Sequence, residues 1–423
     1  MAGMLLALIY VAFISLGLPD SLLGTGWPMM QPDFGVPYGF AGIVSMIIAG
    51  GTILSSLLSG RFIKRFGTAN TTRFSVLATA VALIGFFIAP SFVWLLLFAI
   101  PLGLGGGAVD AALNHFIAAH YKAHHMNWLH CFWGIGAMTG PLVMSGVIQG
   151  NGSWRDGYLI VGIVQGALVV LLFAARPLWR LAGDMQSVTE PATSHTEATT
   201  VEVVADKLSA AGSADKAASL NKTLADEDTT LNKTLARKLR PSGLIPVLAT
   251  FLFYCGTEST MGLWGSSFLV KAKGVGVPQA AFWVSMFFAS ITLGRFLSGF
   301  VSMKLKNVTI IRIGVVLVVL GGILLVLPLP ATITALGFLL VGLGCAPIYP
   351  SMLHETPRRF GAVAAASLMG IQMAVAYTGS TFLPPLFGLV AGESHLWLFP
   401  FVILGFGLMM LLGTERANRI FAQ

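Results

Sequence analysis

Four ionisable residues lie inside long apolar stretches of this 423-residue chain: Asp20, Asp110, Glu258 and Arg295. A charge near the middle of a bilayer costs several kcal/mol, so each asks for a role. Asp110 follows a glycine-rich run (Gly103, Gly105, Gly106, Gly107), and Asn114 lies four residues on, on the same helix face. Such a face suits a polar cavity better than lipid. Asp20 follows Pro19, which removes a backbone donor and loosens a helix there, and Gly24 one turn on allows close approach of a neighbour or solute. A poorly solvated carboxylate in a cavity is disfavoured in its charged form. It can hold a proton near neutral pH and release it when the cavity opens to the other side, which is the minimum chemistry of proton coupling. Arg295 is expected to pair with an acid or a backbone carbonyl rather than with a solute.

The elements that position these groups follow from composition. The chain is 56% hydrophobic and 10% charged, against roughly 25% charged in a soluble domain, with a mean hydropathy of +0.82. So little charge cannot cover a water-facing surface, and the excess apolar residues need lipid as solvent. The net charge of +8 sits in short clusters between apolar runs, which argues for loop charges on a membrane protein and against nucleic-acid binding. Cys131, Cys255 and Cys345 fall in apolar stretches without a CxxC pair, so neither a disulfide framework nor a zinc site is expected. The histidines and acids form no metal-ligand spacing either. His115, His124 and His125 fall near the end of the fourth span, in interfacial positions, whereas His130 is deeper.

About 20 apolar residues cross the hydrocarbon core. That rule predicts twelve spans, near 4–28, 38–60, 72–90, 92–118, 127–149, 155–177, 243–270, 279–302, 308–329, 331–353, 361–390 and 394–413. The first lacks a basic n-region and is too long for a signal-peptide core, so it is read as a retained span. Basic residues concentrate in every second loop: Arg61, Lys64, Arg65 and Arg73; Lys122; Arg176 and Arg180; Lys304, Lys306 and Arg312; Arg358 and Arg359; Arg416 and Arg419. The alternate loops hold only Arg155, Lys271 and Lys273. Both termini are therefore expected in the cytoplasm, with the chain in the plasma (inner) membrane.

Residues 182–242 break the apolar pattern, being rich in Ser, Thr, Ala, Asp, Glu and Lys, with a short duplication at Leu220–Ala225 and Leu231–Ala236. They read as a solvated cytoplasmic linker between six-span halves at 1–181 and 243–423. The halves repeat. A shift of 238–239 positions brings Asp20-Ser21 and Gly24 onto Glu258-Ser259 and Gly262, Gly60 and Arg73 onto Gly299 and Arg312, Leu102–Gly105 onto Val341–Gly344, and Thr139-Gly140 onto Thr378-Gly379. Six spans is an even number, so both copies enter the membrane the same way. A parallel repeat of this kind belongs to carriers whose halves rock about a central site.

Gly60-Arg-Phe-Ile-Lys-Arg-Phe-Gly67 resembles the signature loop after span 2 of the major facilitator superfamily, although Lys64 stands where that signature usually has an acid. The resemblance implies an all-α integral membrane protein of twelve helices in two pseudo-symmetric six-helix bundles, with Gly60, Arg61, Arg65 and Gly67 in a gating loop. Gly17–Trp27, Asp110 with Asn114, Met126–His130 through Gly140-Pro141, and Ala346–Pro350 are similar to the fucose–galactose–glucose:proton symporter group of that superfamily. That group implies uptake of a small sugar or polyol with a proton by alternating access, with Asp20 and Asp110 as the coupling acids. The span 4 acid is Asp here, where a glutamate is familiar in the group.

Sugar sites pair planar amides and carboxylates with aromatic rings. Asn114, Asn127, His130, Gln372 and Glu258 are the polar candidates; Trp133, Tyr254, Trp264 and Tyr349, with Trp27 and Tyr377 behind them, are the rings. The expected partners are a monosaccharide, a proton or sodium ion, and the bilayer, with no cofactor, metal or nucleic acid. A proton-coupled exporter of drugs or metabolites is the alternative suggested by Gly136–Pro141, which resembles an antiporter motif but also suits plain helix packing. A sodium-coupled sugar carrier is another, because Asp20, Ser21 and Asn114 offer oxygens to sodium as well. A membrane enzyme is not indicated: the chain has no HExxH, no P-loop and no Ser-His-Asp context.

Overall fold

The computed structural model describes residues 2–121, 123–175, 177–179 and 241–421. The predicted linker at 182–242 lies almost wholly outside the described residues. The elements are α1 (Ala2–Asp20), α2 (Leu22–Phe34), α3 (Phe40–Ile88), α4 (Phe92–His120), α5 (Ala123–Gln149), α6 (Trp154–Ala174), α7 (Pro241–Lys273), α8 (Val277–Val301), α9 (Asn307–Val326), α10 (Ala331–Phe360), α11 (Ala362–Ala391) and α12 (Phe399–Phe421). Among the described residues there is no strand.

Eleven of the described stretches are long and apolar enough to cross a membrane, with α1 and α2 together forming the first. One of them, α3, runs for 49 residues. At 1.5 Å per residue it would measure about 74 Å, more than twice a hydrocarbon core of about 30 Å. It is two spans joined at Gly67, whose φ of 75° and ψ of 159° lie in a region open essentially to glycine alone. Dividing α3 there raises the count from eleven to twelve. The predicted boundaries at 60 and 72 place a loop between these spans; the structure carries helix right up to the glycine on both sides.

Packing within each half follows the repeat. A shift of 239 carries Gly103 onto Gly342 and Ile48 onto Phe287; Gly103 abuts the Ile48 carbonyl, and Gly342 abuts that of Phe287. The same shift carries Gly105 and Ser75 onto Gly344 and Gly314, and each of these pairs is again in backbone contact. Absent side chains are what let these helices approach, as expected where lipid supplies no hydrophobic drive to associate. Arg73 and Arg312, equivalent under the same shift, each tie the third helix of a half to its sixth. Arg73 Nε donates to the Leu172 carbonyl in the last turn of α6 at 3.0 Å, and Arg312 reaches Glu415 on α12 at 2.5 and 2.9 Å.

The halves meet along a seam at the end of the bundle that carries loops 35–39, 150–153, 274–276 and 392–395. There Gly24 lies against the backbone of Gly262 and Leu263, Gly39 against the Gly388 carbonyl, and Gly42 against Pro385. Ser145 Oγ donates to the Pro278 carbonyl at 2.8 Å, and Ser285 Oγ to that of Met138 at 2.8 Å. The Tyr38 and Trp264 rings sit 6.2 Å apart, with Lys271 Nζ 5.6 Å from the Tyr38 centroid.

Candidate functional site

Helix α1 stops at Asp20 and α2 starts at Leu22, so the first span is interrupted one residue after Pro19-Asp20. Ser21, in the break, turns its hydroxyl to the Ala137 carbonyl at 2.8 Å. The interruption leaves the Asp20 carboxylate exposed to the interior cavity. Its Oδ2 accepts the indole N–H of Trp133 at 2.8 Å. Three glycines fix that meeting: Gly17 packs on the carbonyl of Trp133, Gly136 on that of Ile14, and Gly140 on that of Leu18.

From the other half, α7 presents Tyr254 and Glu258 four residues apart on one face, and the Tyr254 hydroxyl donates to Glu258 Oε2 at 2.5 Å. Arg295 of α8 pairs with Glu258 Oε1 at 3.4 Å, their side chains 17% and 15% exposed, and its Nη2 lies 3.4 Å from the Tyr254 hydroxyl. The Arg295 guanidinium also lies 5.3 Å from the centroid of the Trp133 ring. Contacts therefore run unbroken from Asp20 through Trp133 and Arg295 to Glu258 and Tyr254, crossing between the halves. Trp133, expected as a ring for a solute, is engaged at both its edge and its face.

Asp110 and Asn114 share a face of α4, with Asn114 Nδ2 donating to Asp110 Oδ1 at 2.9 Å. Asp20 lies within electrostatic reach of both Asp110 and Glu258. Three acids and one arginine thus share the centre of the bundle.

A cavity of about 400 Å³ opens at this centre. Asp20, Trp133, Glu258, Ser259 and Tyr377 are in its wall, and Leu23, Gly262 and Leu263 form its floor at the seam. An arm extends between the helices of the first half, past Ser15, Thr79 and Gln165. Gln165, 1% exposed, is held with its amide in one orientation, because Nε2 donates to the Ser15 carbonyl at 2.7 Å. Its Oε1 has no partner among the described residues.

Other sequence-predicted positions lie elsewhere. Trp264 is fully buried, its indole bonded to the Pro384 carbonyl at 2.7 Å, and Gln372 is fully buried with Oε1 accepting from Thr356 at 2.9 Å. Trp27 is likewise fully buried, donating to the Tyr38 carbonyl at 2.8 Å. Tyr349 stands 5.9 Å from the Tyr254 ring, and His130 is exposed and edge-on to Phe13 at 6.1 Å. The side chain of Asn127 lies outside the described residues. Gly60, Arg61, Arg65 and Gly67 are exposed around the α3 break and are not among the cavity-lining residues of that helix. Gln165 escaped the sequence reading. It carries no charge, but it is the one amide in an otherwise apolar span, and the argument for buried charges applies to it in weaker form.

Two six-helix bundles joined at one end, with acids and hydroxyls around a solute-sized cavity, define a membrane carrier. The Major Facilitator Superfamily model matches residues 9–353, and the chain belongs to that superfamily. It is 32% identical over 117 residues to the niacin transporter NiaP of Acinetobacter baylyi, a match covering 27% of this chain and 26% of that protein. It is 23% identical over 153 residues to the glucose/mannose transporter GlcP of Bacillus subtilis, covering 36% of this chain and 38% of that one. These two alignments span well under half of either relative. Among solved structures, a D-xylose-proton symporter aligns over 97% of this chain and 96% of its own, with a TM-score of 0.69 at 14% identity, a likeness of fold. The superfamily and both of these relatives are transporters, not enzymes.

Proposed function

We propose that this transporter carries a small sugar or polyol inward together with a proton, by alternating access, in the plasma (inner) membrane. The observation that carries the reading is Asp20: a carboxylate at a helix interruption, exposed to a central cavity and bonded to an aromatic side chain of its own half. Asp110, bonded to Asn114 of the same helix α4, is the second coupling acid. Polar groups around the cavity suit a polyhydroxylated solute, with Glu258 and Ser259 as acceptors and Tyr377 as a ring. Asn114, His130 and Tyr349 are kept as further candidate contacts for the solute. The sugar-carrying relative and the sugar symporter of like fold support the reading in kind.

With both termini in the cytoplasm, the seam lies at the outer face and the cavity is the inward-facing state of the cycle. Opening the seam, closing the opposite end, and returning is the alternating motion of two related halves about a fixed site.

Uptake into proteoliposomes tests this. A labelled monosaccharide accumulating under an inward proton gradient without sodium, and collapsing with a protonophore, is the expected result. Accumulation that needs sodium, extrusion of drugs without any sugar uptake, or transport of nicotinate alone would each overturn it.

A further inference from the structure

The two acids from opposite halves, Asp20 and Glu258, occupy equivalent places in the repeat but are not in contact. Trp133 stands between them. Its indole N–H is committed to Asp20 at 2.8 Å, and its ring lies against Arg295, centroid to guanidinium 5.3 Å. Arg295 is in turn the ion-pair partner of Glu258. Neither Trp133 nor Arg295 is free to drift. Gly17 and Gly136 lock α5 against α1 on either side of Trp133, and Gly134, the next residue, packs directly on the Thr292 side chain of α8, one turn from Arg295. The tryptophan is therefore clamped where the two halves touch.

We infer that Trp133 is a positioning residue that relays the charge state of Asp20 in one half to the Arg295–Glu258 pair in the other. A hydrogen bond to an ionised carboxylate is roughly twice as strong as one to a neutral group. A charged Asp20 thus holds the indole edge, and with it the ring face presented to Arg295. Neutralising Asp20 weakens the hold on the indole and with it the cation–π contact to Arg295, which leaves Arg295 held by Glu258 and Tyr254 alone. Solute entering the cavity meets three of these groups, since Asp20, Trp133 and Glu258 share its wall. The relay supplies what a two-half carrier needs, a physical link by which occupancy of an acid in one half biases the seam with the other. Its value to transport rests on the proton-coupled reading above, but the relay is testable without any solute.

The test is a double-mutant cycle read by distance. In a background with the three native cysteines replaced by serine, spin labels are placed at Gly150→Cys and Gly276→Cys. These are exposed loop positions of opposite halves at the seam end. Asp20→Asn, a neutral mimic, is introduced with residue 133 as Trp, with Trp133→Phe, and with Trp133→benzothienylalanine, an isostere that keeps the bicyclic ring and loses only the N–H. With Trp present, Asp20→Asn shifts the ratio of short to long distances by about tenfold, the weight of one charge-assisted hydrogen bond. In both donor-less backgrounds the same substitution produces little further shift. The isostere guards against a folding defect in the Phe variant. An equal shift in all three backgrounds, or no shift from Asp20→Asn even with Trp133 present, overturns the relay. A positive cycle in a protein that moves no proton with any solute would instead count against the symport reading and leave the relay standing.

Discussion

Gly24 of α2 and Gly262 of α7 bring the two halves backbone to backbone: a side chain built on Gly24 would strike the Gly262 carbonyl and the Leu263 backbone. The two positions are also equivalent in the repeat, but only Gly24 turns its bare face to the other half; that of Gly262 lies against the Phe288 ring. This contact closes one end of the bundle and floors the cavity.

Enlarging that contact should hold the seam apart. Backbone cannot yield as a flexible side chain does, and overpacking a tight contact costs about 1–3 kcal/mol or more. Gly24→Trp is expected to keep solute binding, lengthen the distance between labels at positions 150 and 276, and slow net transport more than about tenfold. Unchanged distances with normal transport would mean that the seam does not separate during the cycle.

Gln165 offers a second, independent check on the site. Its side chain borders the cavity, and its fixed amide leaves one buried oxygen without a donor among the described residues. If a solute hydroxyl fills that place, Gln165→Leu raises KM about three- to tenfold with kcat nearly kept, the loss of one neutral hydrogen bond. A deoxy analogue lacking that hydroxyl should suffer the same penalty in the wild type and no extra one in the variant. Identical KM values in wild type and variant would assign the oxygen to water instead.

The equivalent arginines should differ sharply in their effect on stability. Arg73 is 3% exposed and caps α6 through the Leu172 carbonyl, so Arg73→Ala is expected to cost about 1–3 kcal/mol. The Arg312 side chain is 50% exposed in its pair with Glu415, and Arg312→Ala should cost less than about 1 kcal/mol. Melting temperatures in detergent compare them directly; equal losses would mean burial is not what distinguishes the two.

Much of the architecture was legible in the sequence because it is written in short-range or periodic terms. Span lengths follow from apolar runs, and the repeat follows from glycines held at a shift of 239, which the packing reproduces at Gly103 and Gly342. Pro19 foretold the interruption beside Asp20, and the spacing of Asp110 and Asn114 put them on one helix face, where the structure adds a hydrogen bond. Arg295 is expected on cost alone to pair with an acid or a backbone carbonyl, and its partner is Glu258. Side-chain roles that depend on distant helices were not legible. Trp133 read as a ring for a solute because nothing local announces that α1 offers a carboxylate to its edge and α8 a guanidinium to its face. Trp264 and Gln372 read as solute contacts by type, yet both are sealed by partners more than ten residues away, Pro384 and Thr356. The cavity arm at Gln165 joins residues from helices far apart in the chain, and no periodicity encodes that meeting.

The most direct test of the central claim compares two fluxes in proteoliposomes, for the wild type and Asp20→Asn, in sodium-free buffer. One is solute-evoked proton entry; the other is solute counterflow, which needs binding and the alternating motion but no net proton movement. The account predicts both fluxes in the wild type, and counterflow without proton entry in Asp20→Asn. Proton entry that persists in Asp20→Asn at the wild-type ratio to solute would contradict it.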